Sequence, residues 1–152
     1  MIREGFNRKL RRSIMMNSQR FNVYPKKSFS SKDEVLTFLG KESSRLVGIP
    51  AMEFKEQLLK REEQGSIEIA PGILLPHFES PSFTQSKVLL LSLNPEVKGW
   101  NSEINNVKLV IVILLKAEEE RPVKQEIAAF TRKLADDKYL DELMKLGNEY
   151  NN

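Results

Sequence analysis

The spacing of apolar positions changes several times along the chain, and each change marks a predicted element. Ile2, Phe6, Leu10 and Ile14 recur every four residues among basic side chains. That start reads as a solvated extension, with a basic amphipathic helix over residues 2–16 as the alternative. The alternation in Phe21-Asn22-Val23-Tyr24 predicts a first strand, ended by Pro25. Ser31 and Glu34 have the spacing of a capping box, which opens a helix through about Leu46 with Val35, Phe38, Leu39 and Leu46 on one face and Gly48 as its stop. A second helix starts at Pro50, which a first helical turn tolerates, and carries Met52, Phe54, Leu58 and Leu59 to Gln64, with Gly65 as its stop.

The pattern then shortens to strand-like pieces. Ile67 and Ile69 alternate, Pro71-Gly72 reads as a turn, and Ile73-Leu74-Leu75 follows as a short apolar strand. Val88–Leu93 predicts another, bounded by Asn94-Pro95. The β-branched run Val107–Leu115 is the most apolar segment, as expected of a strand buried on both faces. Pro122 introduces a periodic helix with Ile127, Phe130, Leu134 and Val123 on its inner face; Asp136-Asp137 breaks it, and Leu140, Leu143 and Leu146 carry a last helix to Gly147. The expected class is therefore α/β: one domain with a mixed central sheet flanked by helices on both faces. Residues 1–20 form an extension, 21–147 the folded body, and 148–152 a frayed end.

Composition narrows the chemistry. The chain has 152 residues and no cysteine, which removes disulfides, thiolate metal sites and thiol catalysis. Its longest unbroken apolar run, Leu109–Leu115, is far shorter than the roughly 20 residues that span a bilayer. No secretory signal pattern follows Met1, so a cytoplasmic location is expected. The net charge of +3 is uneven: residues 1–27 hold eight basic side chains against Glu4, so the other 125 residues sum to −4. The body is slightly acidic and shows neither a recognition-helix pattern nor interleaved aromatics, so direct nucleic-acid binding is not expected.

One histidine is present, His77 in Leu74-Leu75-Pro76-His77-Phe78. Pro76 keeps Leu75 extended, which puts His77 where a strand ends and its loop begins, a usual place for reactive groups in α/β sheets. A lone histidine makes no zinc or iron site, and no serine-nucleophile elbow, phosphate-binding loop or dinucleotide fingerprint occurs. The remaining roles are acid/base catalyst or nucleophile, beside the plain alternative of a structural imidazole.

The ordered set Lys60-Arg61-Glu62-Glu63-Gln64-Gly65-Ser66, Ile69, then Gly72-Ile73-Leu74-Leu75-Pro76-His77 resembles the enzyme IIA domain of the fructose/mannitol class (type 2) in the bacterial phosphoenolpyruvate-dependent sugar phosphotransferase system. Lys32–Leu39, Val107–Leu115 and Ile127–Leu143 extend the resemblance, which covers about 120 residues in order.

The resemblance implies phosphorelay. His77 would accept a phosphoryl group from the phosphocarrier HPr and pass it to an enzyme IIB partner, serving uptake of a sugar or sugar alcohol. The alternative it implies is a regulatory domain whose histidine phosphorylation signals sugar flux to a transcriptional regulator or other partner. Arg61 would face the phosphohistidine, Ser66 would offer it a hydroxyl, and neither metal nor organic cofactor is implied. A neutral imidazole, with an unperturbed pKa of about 6.5, is a competent nucleophile near pH 7. The sequence departs from the family pattern at Ile67-Glu68, where Thr-Gly is usual, at Ala70, at Phe78 in place of glycine, and at Val123 where many members carry a second histidine.

Overall fold

The computed structural model describes residues 19–149. In chain order its elements are β1 (Phe21–Lys27), α1 (Lys32–Val47), α2 (Ala51–Gln64), β2 (Glu68–Ala70), β3 (Ile73–Leu74), β4 (His77–Ser80), β5 (Lys87–Lys98), β6 (Asn106–Lys116), α3 (Arg121–Lys133) and α4 (Asp137–Glu149). The predicted basic segment 2–16 and the last three residues lie outside the described part. Gln19 and Arg20 are joined to the body: Lys87 Nζ donates to the Gln19 carbonyl, and Arg20 donates to the Ser86 carbonyl at 2.8 Å and to Glu126 at 3.1 Å.

The strands form one mixed sheet in the order β1-β5-β6-β3-β2, with β4 pairing β6 beyond β3. β5 and β6 are antiparallel, while β1 runs parallel to β5, and β3 and β4 run parallel to β6. Successive residues of β6 feed opposite layers. Val110, Val112 and Leu114 pack beneath α1 and α2 with Leu39, Phe54 and Leu58. Leu109, Ile111 and Ile113 pack beneath α3 and α4 with Ile127, Phe130 and Leu140. Both faces of this strand are buried, which explains its unbroken apolar sequence. The α/β class with helices on both faces is as expected.

The helix ends follow most of their sequence signals, but α4 runs through its expected stop at Gly147 to Glu149, two residues into the segment expected to fray. Ser31 Oγ accepts from Glu34 N–H at 3.2 Å, as a capping residue should, but the Glu34 carboxylate takes both the N–H and the hydroxyl of Ser30, not the Ser31 backbone. Gly48 ends α1 at φ +87, with its N–H on the Ser44 carbonyl. Pro50 precedes the first residue of α2 and does not belong to its first turn.

Three strand predictions needed correction. β1 continues through Pro25 to Lys27, because its pairing with β5 shifts register between Tyr24 and Lys27. β5 likewise runs past Asn94-Pro95 to Lys98, with a register shift between Ser92 and Val97. Irregularities of this kind let a strand carry proline, which cannot donate to a regular ladder. The third correction is that His77 does not begin a loop. It opens β4, opposite Ile113.

A polar tie joins β1 to α1. Tyr24 Oη donates to Glu42 Oε1 at 2.7 Å, and Arg45 Nη2 donates to the same oxygen at 2.8 Å. The Arg45 hydrogen bond, with a smaller contribution from Tyr24, holds the Glu42 carboxyl below its ordinary range despite partial burial. Burial first, then the Glu42 carboxylate, push the Tyr24 phenol above its usual value. A carboxyl depressed in the folded state adds stability that is complete above the unfolded value near 4.3 and is lost as pH falls through the folded value. Glu42→Gln is therefore expected to lower the urea midpoint at pH 7, and the gap from wild type should close below about pH 4. A gap unchanged between the two pH values would show that the carboxylate charge contributes nothing.

Candidate functional site

The position of His77 follows from an interrupted strand. β3 and β4 pair with successive stretches of β6, Ile73 and Leu74 against Leu109 and Val110, then His77 to Ser80 against Ile113 to Lys116. Between them Leu75 N–H turns to the Ile67 carbonyl at 2.8 Å, while the Pro76 carbonyl accepts from Ile113 N–H at 3.0 Å. β2 covers β3 on the far side but does not extend along β4. His77 thus opens a strand that has a sheet neighbour on one side only among the described residues. It is held by the ladder and exposed to solvent.

Alternation along β4 separates packing from chemistry. Phe78 is buried against Phe54, with ring centroids 4.8 Å apart, and so locks the strand to α2. Its neighbours His77 and Glu79 are exposed, on the opposite side of the pleat. The bulky side chain after the histidine is therefore a core residue and does not cover the imidazole.

Two clefts meet at His77 and Glu79. The larger, about 510 Å³, has an apolar floor that includes Leu75, Ile113 and Ile127, with Lys124 and Arg132 contributed by α3. The smaller, about 250 Å³, is lined from α2 by the polar residues Gln57, Lys60, Arg61 and Gln64. The imidazole therefore has cationic side chains available on both sides. Such groups suit a transferring phosphoryl group, whose chemistry asks the protein mainly for position and charge neutralisation.

The structure places His77 and Arg61 on one cleft. Arg61 lies in the last turn of α2 and donates from Nη1 to the Gly65 carbonyl at 3.2 Å. Ser66 is on the connection leaving α2, outside the lining of either cleft, and its Oγ accepts from Glu68 N–H at 3.1 Å. Glu68 itself accepts from Gly72 N–H at 2.9 Å, so its carboxylate is used in the β2–β3 turn. Gly72 is required there: its φ is +78, and a side chain would meet Lys108 and the Asn106 carbonyl at 3.1–3.2 Å. Val123 packs into the layer beneath α3 and α4.

Lys124, Arg132, Glu79 and Gln57 are cleft residues that sequence reasoning did not assign to the site. On α3 the signal was the stripe Lys124, Ala128, Thr131 beside the buried Ile127, Phe130 and Leu134. Periodicity identifies that stripe only once the flank of α3 that faces His77 is known. Among the described residues no group of three or more His, Asp or Glu is placed to hold a metal ion, and no helix is long and apolar enough to cross a membrane.

Fold and site together define an α/β domain that presents one exposed histidine at an open sheet edge between cation-lined clefts. The family description "Phosphoenolpyruvate-dependent sugar phosphotransferase system, EIIA 2" matches residues 17–151, and the chain belongs to that family. Among characterised relatives, it is 27% identical over 123 residues to Multiphosphoryl transfer protein 1 of Escherichia coli strain K12. That match covers 80% of this chain but 15% of the relative. Among solved structures, the nitrogen regulatory protein IIA-Ntr of Neisseria meningitidis superposes with a TM-score of 0.67 at 16% identity, covering 85% of this chain and 90% of that one. Enzyme IIA-mannitol of Escherichia coli, in complex with phosphorylated enzyme IIB-mannitol, gives 0.59 at 19% identity over 82% and 89%. At these identities the structural likeness speaks for the fold.

Proposed function

We propose that this IIA-family domain is a cytoplasmic phosphocarrier in which His77 accepts a phosphoryl group from HPr and passes it to an enzyme IIB partner. The observation that carries this reading is the exposed imidazole at the open edge of β4, lining one cleft with Arg61 and another with Lys124 and Arg132. A ring nitrogen of neutral His77 attacks the phosphorus of the donor's phosphohistidine. The new N–P bond forms as the donor's breaks, and the electron pair of the broken bond stays on the donor nitrogen. The added group carries up to two negative charges, which the guanidinium of Arg61 meets with its planar fork of donors. Ser66, whose Oγ accepts from Glu68 N–H, would have its hydroxyl proton left to donate to the phosphoryl group.

Incubation with phosphoenolpyruvate, enzyme I and HPr, followed by addition of enzyme IIB proteins, tests the relay. Acid-labile label on the chain that then moves to a IIB partner supports a carrier. Label that loads but does not move on would make the domain a regulator whose phosphorylation reports sugar flux. No label under any condition would refute phosphorelay. Arg61→Ala should slow loading by about ten- to a hundredfold, because a charge-assisted hydrogen bond contributes about 1.5–3 kcal/mol. The urea midpoint should hardly move, since the side chain is exposed. Equal initial rates for variant and wild type would remove Arg61 from the site.

A further inference from the structure

Arg61 is exposed and held by one hydrogen bond to the Gly65 carbonyl, so its direction depends on how the last turn of α2 is seated. The next residue does that seating. Glu62 continues the buried stripe of Phe54 and Leu58 at four-residue spacing, yet it is a carboxylate with only 8% of its side chain exposed. Its Oε2 accepts from Trp100 Nε1 at 2.8 Å and from Asn101 Nδ2 at 3.1 Å, and its Oε1 lies 2.7 Å from Lys32 Nζ. Lys32 also stands 5.2 Å over the Trp100 ring. Three segments converge on one carboxylate: the end of α2, the start of α1 and the connection between β5 and β6.

An apolar side chain would complete that stripe without desolvating a charge, and replacing a buried ion pair by such a residue is often neutral or stabilising. What the carboxylate adds is direction. Its two donors sit on the β5–β6 connection and its ion-pair partner on α1, so together they fix the axial position and the rotation of the helix end.

We propose that Glu62 is a positioning residue for the phosphoryl site: by fixing the last turn of α2 to Trp100, Asn101 and Lys32, it turns Arg61 toward the cleft of His77. Neighbours on a helix are turned by about 100°, so an inward Glu62 leaves Arg61 on the flank that also carries Gln57 and Gln64. The inference rests on reading His77 as the phosphoryl acceptor and gives that reading a support outside the cleft.

Two variants reach the tie from opposite ends. Glu62→Gln keeps an acceptor for Trp100 but loses the charge that holds Lys32, and Trp100→Phe removes the indole donor while keeping a ring; neither residue lines the clefts. Loading rates from HPr are measured for each variant, alone and combined with Arg61→Ala, and the Arg61 Nε–Hε resonance is followed by NMR in unphosphorylated protein. Each single variant is expected to slow loading by about tenfold, given that misplacement by an ångström can cost about a hundredfold. Neither should slow the Arg61→Ala chain further, and the Arg61 signal should shift and report greater motion. If Glu62→Gln fails to fold, Trp100→Phe carries the same comparison. Equal slowing with and without Arg61, or an Arg61 resonance unchanged in both variants, would overturn the proposal. A wild-type chain that takes no label would refute the His77 reading instead, and the Arg61 resonance would then decide the role of Glu62 alone.

Discussion

His77→Gln is expected to abolish acid-labile labelling from phosphoenolpyruvate, enzyme I and HPr while leaving the folded domain intact. Glutamine retains a polar side chain but offers no nitrogen able to attack phosphorus at neutral pH. The structural cost should be small, because His77 is exposed and its place in the sheet is set by backbone pairing to Ile113. Exposed substitutions usually change stability by no more than about 0.5 kcal/mol. The check is label on the gel together with the urea midpoint of the same preparation. Persisting label with an unchanged midpoint would place the phosphoryl group elsewhere, and lost label with a collapsed midpoint would show a structural role for the imidazole.

Phe78→Ala should have the largest effect on stability of any change beside the site. The ring is 6% exposed and lies against Phe54 at 4.8 Å in the layer between the sheet and α2. Truncating a buried phenylalanine costs about 3–5 kcal/mol, through lost transfer energy and the cavity left behind. Against a total near 5–15 kcal/mol for an ordinary domain, that is a large share. It should appear as a urea midpoint shift with an unchanged slope. The same substitution frees the strand that begins with His77, so loading should slow more than the fraction of unfolded protein explains. A shift below about 1 kcal/mol would mean that β4 is held mainly by its ladder to β6 and not by the aromatic contact.

How much was legible in the sequence depended on how local the signal was. The helix ends at Ser31 and Gly48 were readable because a cap is set within a few residues. The layers were readable too, because burial of β6 on both faces leaves no polar position to interrupt Val110–Leu114. The strands through Pro25 and Pro95 were not, since a proline reads as a stop until the register shift in its partner is seen. Pro76 interrupts the apolar run, which predicts a strand end at His77. That β6 pairs with the residues on both sides of the interruption is a long-range fact with no local signature.

The site divides in the same way. His77 stands out as the one histidine, Arg61 is singled out only by the family resemblance, and the fold sets them on one cleft. The departures proved to have separate local explanations: Glu68 serves the Gly72 turn, Phe78 the core, and Val123 the layer under α3. Lys124 and Arg132 went unassigned because their relevance depends on α3 crossing the sheet beside β4, and nothing within α3 states that.

Site-resolved mass spectrometry of the wild-type chain, loaded through HPr and digested at alkaline pH to preserve phosphoramidate bonds, is the most direct measurement. One phosphoryl group on His77, lost on brief acid treatment, is expected. An acid-stable phosphate on a serine or threonine, or an unmodified His77 peptide from a preparation in which HPr itself is fully phosphorylated, would contradict the assignment.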